Sequence, residues 1–142
     1  MPTKLDQFLR DLAEPVNDLL LGGYEDAQLR DVVTNLGART ELFLKTTVLL
    51  QSNPKVDLDG CINALKPFGV SKQDREVLHS FRRVYNDSKH TPGYRPSLVE
   101  FQELLSEVVR VFRDLGARNL GTTNSNEALQ HRRVLWIAAW DH

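Results

Sequence analysis

Between Leu98 and Leu115 the residues Leu98, Phe101, Leu104, Leu105, Val108, Phe112 and Leu115 recur at intervals of one to four, the period of one helix face. Ser97 and Glu100 stand before the stripe as a capping box. Glu100, Glu103 and Glu107 lie early in it and Arg110 and Arg113 late, as the helix dipole favours. Gly116 is the expected end. A helix with one greasy face gains most of its stability by packing that face against something. This stripe therefore calls for partner elements, and the rest of the chain supplies helices.

Thr3, with Asp6 three residues on, caps a first segment whose apolar stripe is Leu5, Phe8, Leu9, Leu12, Val16 and Leu19. Pro15 falls inside it, so a kink or a restart is expected there, and Gly22-Gly23 ends it. A long second helix is predicted from about Asp26 to Gln51. Leu29, Leu36, Phe43 and Leu50 stand seven apart, with Val32, Val33, Thr40 and Thr47 between them, and Asn53-Pro54 stops the run. A long bundle helix is the simpler reading of this seam than a dimeric coiled coil. Asp57 caps a short third helix through Leu65, closed by Pro67-Phe68-Gly69. Ser71 caps a fourth, whose apolar face is Val77, Leu78, Phe81, Val84 and Tyr85; the linker His90 to Pro96 breaks it. The fold expected is all-α, an up-and-down bundle of four to five helices over residues 1–120.

Residues 121–142 read as a polar linker followed by a Trp-rich segment. Glu127 to Trp140 is taken as a helix, although Val134 to Trp140 is apolar on both parities, which leaves a buried strand open. Trp136 and Trp140 must be buried on the bundle, at a dimer contact or in a further domain.

Composition narrows the function only by exclusion. Eighteen Lys and Arg against nineteen Asp and Glu leave a net charge of −1, so any contact with nucleic acid needs a local basic patch. One cysteine, Cys61, rules out an internal disulfide and any multi-cysteine zinc site, and it reads as a small core residue. No signal-peptide pattern opens the sequence and no apolar run nears the ~20 residues of a membrane span, so a cytoplasmic protein is expected. Glu76-x-x-His79 matches one half of a di-iron motif, but no second copy exists. The sequence contains no glycine-rich phosphate loop, and no cofactor or metal is expected.

On a wheel of the fourth helix, His79, Arg83, Asn86 and His90 fall within about 60° of one another, opposite the apolar face. Arg82 points about 80° away from His90, which makes Arg83 its better partner. Two imidazoles, a guanidinium and an amide on one side suit phosphodiester chemistry. An arginine fork matches phosphate oxygens, and a histidine exchanges protons near neutral pH. A solvated polar face is the plain alternative.

The run Phe81-Arg82-Arg83-Val84-Tyr85-Asn86-Asp87-Ser88-Lys89-His90 resembles the HEPN (higher eukaryotes and prokaryotes nucleotide-binding) superfamily. That family's signature is an Arg separated by four to six residues from a His at the end of a bundle helix, and Arg83-x6-His90 meets the upper limit. The resemblance implies a HEPN-like homodimer acting as a metal-independent endoribonuclease of the toxin–antitoxin or antiphage-defence kind. It makes Arg83 the phosphate contact, His90 the general acid and base, and Asn86 and Asp87 their polar support. RNA would be the substrate, and an antitoxin or effector domain a protein partner. Val84 departs from the polar residue that often follows the Arg, and Tyr85 stands where a tighter pattern has Arg. These departures leave open a non-catalytic interaction or regulatory module of a larger bacterial defence or stress protein. Lys89, Tyr94 and Arg95 beside His90 form the best candidate basic-aromatic patch, and Gln130-His131-Arg132-Arg133 is a weaker one.

Overall fold

The helix starts are set by side chains that accept otherwise unpaired backbone N–H groups. In a computed structural model, which describes residues 3–50, 53 and 55–121, Thr3 Oγ1 accepts from Asp6 N at 3.0 Å and Asp6 returns the bond to Thr3 N. Asp57 Oδ1 accepts from Gly60 N at 2.9 Å, Ser71 Oγ from Asp74 N at 3.1 Å, and Ser97 Oγ from Glu100 N at 3.3 Å. Five helices follow: α1 (Lys4–Gly22), α2 (Asp26–Phe43), α3 (Leu58–Asn63), α4 (Lys72–His90) and α5 (Leu98–Gly121). No strand occurs among the described residues.

The direction of each helix follows from which residues meet. Phe8 stacks on Phe43 at 4.0 Å and Asp11 pairs with Arg39, so α1 and α2 are antiparallel. Arg30 reaches Ser88 while Gly37 faces Tyr85, which makes α2 and α4 antiparallel. Asp74 pairs with Arg110 and Phe81 packs on Phe101, reversing α5 against α4. Phe8 meets Phe112 edge-on at 5.1 Å, while Val16 and Leu105 share a cleft, so α5 also runs against α1. The four long helices close into a ring as an up-and-down bundle, and α3 packs on α4 and α2. The interior holds the expected faces: Leu5, Phe8, Leu9, Leu12 and Val16 of α1; Leu78, Phe81 and Tyr85 of α4; and Leu98, Phe101, Leu105, Val108, Phe112 and Leu115 of α5.

Three boundaries differ from the sequence reading. Of the two outcomes expected at Pro15, a restart as a second helix does not occur. Leu12 and Val16 are buried on either side of it, and α1 continues through Gly22. The second helix does not keep its seam to Gln51. It winds into a π-turn at Leu44–Val48, in which Leu49 N bonds to Leu44 O at 2.8 Å. A π-turn adds one residue to the turn and shifts the register. Leu44 and Val48 rotate inward, Leu50 stays more than half exposed with φ of 49°, and the seam Leu29–Leu36–Phe43 stops there. Finally, Gly116 does not end α5. A glycine inside a helix costs only about 1 kcal/mol, and Arg118 beyond it donates to Gly69 O, tying the last turns to the end of the Lys66–Phe68 3-10 turn.

Cys61 is fully buried on α3, and burial pushes its thiol pKa up. The helix-or-strand question for 127–140 and the Trp-rich segment lie outside the described residues. No helix among the described residues is long and apolar enough to cross a membrane.

Candidate functional site

The polar stripe of α4 is positioned by a close helix contact. A Cβ on Gly37 would stand 2.2 Å from the Tyr85 ring, so only glycine lets α4 lie this near α2. Tyr85, at the position where a tighter motif carries arginine, is thereby a buried spacer between two helices.

At the carboxyl end of α4 a residue without any signal in the local sequence takes over. Arg30 of α2 donates through Nε and a terminal nitrogen to Ser88 O, at 3.2 and 2.9 Å, and to Thr91 O at 3.2 Å. Its charge sits where the helix dipole is negative, on carbonyls that lack a helical donor. Ser88 Oγ, buried beside this clamp, has no hydrogen-bond partner among the described residues.

The stripe does not act as one unit. His79 turns toward α3: Nε2 lies 2.9 Å from Asn63 Oδ1, and Nδ1 accepts from Arg82 Nε at 3.1 Å. The proton of the neutral ring therefore belongs on Nε2. Asp59 completes the group, 3.4 Å from His79 Nδ1 and 3.5 Å from Arg82 Nε. Arg82, set aside on the wheel, is thus the arginine that His79 meets.

Arg83 is exposed and reaches toward the amino end of α4, to Glu76 Oε1 at 2.9 Å and Ser80 Oγ at 3.0 Å. The Arg83 hydrogen bond holds the Glu76 carboxyl below its usual pKa. Arg83 and His90 stand seven positions apart, about 10 Å along the axis, and the Arg83 side chain extends away from His90. His90 is exposed and Asn86 half-buried; neither side chain has a hydrogen-bond partner among the described residues. Asp87 Oδ1 accepts from Thr91 Oγ1 at 3.4 Å, which holds it at the helix end.

The basic-aromatic patch is divided as well. Lys89 Nζ sits 5.5 Å from the Tyr85 ring centre. Tyr94 is half-buried in a small cleft of about 140 Å³ beside Val84, Pro96 and Phe101, and burial, with Asp87 and Glu100 nearby, raises its phenol pKa. Arg95 pairs with Asp26 at 3.4 Å, on the exposed start of α2.

Glu76 and His79 face different partners, and no group of three or more His, Cys, Asp or Glu side chains suited to a metal gathers among the described residues. No protein-family model, curated protein or solved structure matches this chain.

Proposed function

We propose that this chain is a non-catalytic helical interaction module with a HEPN-like bundle, in which the exposed polar side of α4 is the recognition surface. One observation carries the reading. Arg83 donates through one terminal nitrogen to both Glu76 and Ser80, toward the opposite end of α4 from His90, which supports a pair that is not set up around a phosphate. The aromatic packing of Tyr85 on Gly37 supports it, because the position offers a spacer in place of a charge.

A second reading, favoured by His90 and Asn86 lacking side-chain partners among the described residues, is a HEPN-type endoribonuclease of a defence or toxin system. Arg83 would leave its solvent-exposed pair with Glu76 at little cost, and a second copy of the chain would complete the site. Arg83 would then hold the phosphoryl oxygens, while His90 moved protons as the ribose 2′-hydroxyl attacked the adjacent phosphate.

Purified protein incubated with single-stranded and structured RNA in EDTA separates the two. The interaction module leaves the RNA intact, or shows only traces that Arg83→Ala and His90→Ala do not change. Cleavage abolished by each substitution establishes the ribonuclease and overturns the first reading.

A further inference from the structure

Polar groups with spare hydrogen-bonding capacity gather between the first half of α2 and the end of α4. A cavity of about 390 Å³ opens there, lined by Ala27, Arg30, Asp31 and Thr34 of α2 and by Ser88 and Lys89 of α4. Ser88 is only 4% exposed, and its Oγ has no hydrogen-bond partner among the described residues. Buried hydroxyls in folded proteins are nearly always partnered, and one that is not marks a place for a water, an ion or a ligand group. Thr34, half-buried, adds a second hydroxyl to the same wall.

The two cations of the cavity differ in how they are held. Arg30 is anchored: its Nε and one terminal nitrogen donate to Ser88 O and Thr91 O, and its other terminal nitrogen makes no hydrogen bond among the described residues. A guanidinium fixed along one edge has little freedom left to lose when its remaining N–H groups take an acceptor. Lys89 is exposed, and its Nζ makes one long hydrogen bond, 3.4 Å to Tyr85 Oη, which it can give up for a stronger acceptor.

The charges select the ligand. Arg30 and Lys89 against Asp31 leave the lining with one positive charge, so a singly charged group balances it. A carboxylate carries that charge on two acceptor oxygens in a plane, which suits a guanidinium edge, an ammonium and a hydroxyl donor together. A nucleic-acid backbone is disfavoured, because Asp31 and Asp87 are both exposed beside the cavity and would repel the neighbouring phosphates.

We propose that this cavity is a carboxylate-binding site, which takes the acid group of an acidic peptide or of a small organic acid between Arg30, Lys89 and Ser88. It uses neither Arg83 nor His90, so it stands whichever reading of α4 holds. The bound acid supplies the acceptor that the Ser88 hydroxyl lacks.

Nitrogen–proton correlation spectra recorded at constant ionic strength test the site, with a capped alanyl-glutamyl-alanine tripeptide and with sodium acetate as probes. Saturable shifts of the Arg30, Ser88 and Lys89 amides are expected, and the probe that saturates at lower concentration names the source of the acid. The glutamine counterpart of the tripeptide should shift none of them. Ser88→Ala should weaken binding several-fold without lowering the unfolding midpoint, which a merely structural hydroxyl would not do, and Lys89→Gln should weaken it further. The proposal is overturned if neither probe gives saturable shifts or if the glutamine peptide acts like the glutamate one. Full affinity in Ser88→Ala overturns it too, by leaving that hydroxyl to a water. So does tighter binding of inorganic phosphate or of a short single-stranded RNA than of either acid.

Discussion

The two halves of α4 treat charge in opposite ways. Toward the amino end, Asp74 is paired with Arg110, Glu76 with Arg83, and His79 and Arg82 with Asn63 and Asp59. Arg110 also binds Glu107 and Asp114, and its carboxylate partners raise its pKa further. Toward the carboxyl end the half-buried Asn86 and the exposed His90 make no side-chain hydrogen bond among the described residues, while the backbone beneath them is fastened by Arg30. One half spends its side chains on neighbours. The other is held by a cation from another helix, and although Asp87 and Lys89 are engaged locally, Asn86 and His90 make no side-chain hydrogen bond among the described residues. A rigid backbone with unspent polar groups is what a recognition surface requires.

The largest test of this contrast is Gly37→Ala. Alanine is the better helix former by about 1 kcal/mol, yet its Cβ would overlap the Tyr85 ring. Overpacking should win, with a net loss of about 1–3 kcal/mol in urea unfolding; an unchanged midpoint would remove the spacer role of Tyr85. Next comes Arg30→Met, which keeps much of the side chain's bulk but uncaps Ser88 O and Thr91 O. A loss of about 1–2 kcal/mol should come with faster amide exchange in the last turn of α4. Exchange that rises equally at both ends would erase the distinction drawn between them.

Ser88→Ala should move stability the other way. Its buried hydroxyl has no partner among the described residues, so removing it is expected to be neutral or to stabilise by about 1 kcal/mol. A clear loss would mean that the hydroxyl is used. At the amino half, a double-mutant cycle on Asp59→Ala and Arg82→Ala should return a coupling below about 1 kcal/mol that shrinks in high salt.

The smallest effect concerns Glu76. Its carboxyl is held below the ordinary value of 4.5, so the stability it adds is present above that pH and fades as the pH falls through its lowered value. Glu76→Gln should flatten that acid limb slightly. A wild-type and variant pair with superimposable acid limbs would remove the Arg83 contact from solution.

The helices were legible because their signals are local. A cap and its N–H stand three residues apart, and an apolar face repeats within one turn, so Thr3, Asp57, Ser71 and Ser97 could be read without knowing any neighbour. Heptad spacing misled at Leu50, because a π-turn changes the register without changing the spelling. Gly116 misled because a glycine stop has meaning only where nothing holds the turns beyond it, and Arg118 on Gly69 O does. The candidate site was legible as a direction on a wheel and not as a set of contacts. Wheel angles say which way a Cβ points; they do not say that Asp59 and Asn63 of α3 claim His79, or that Glu76 draws Arg83 away from His90.

By itself, then, the sequence determined the class of fold, the starts of the helices and the faces they bury, since propensity, capping and periodicity act within a few residues. Tertiary structure decided which polar groups are spent and which are free. Arg30 and Ser88 lie 58 residues apart, and Gly37 and Tyr85 meet only because α2 and α4 pack antiparallel. Whether a charge on α4 is neutralised or left open depends on neighbours that only the packed bundle brings within hydrogen-bonding distance.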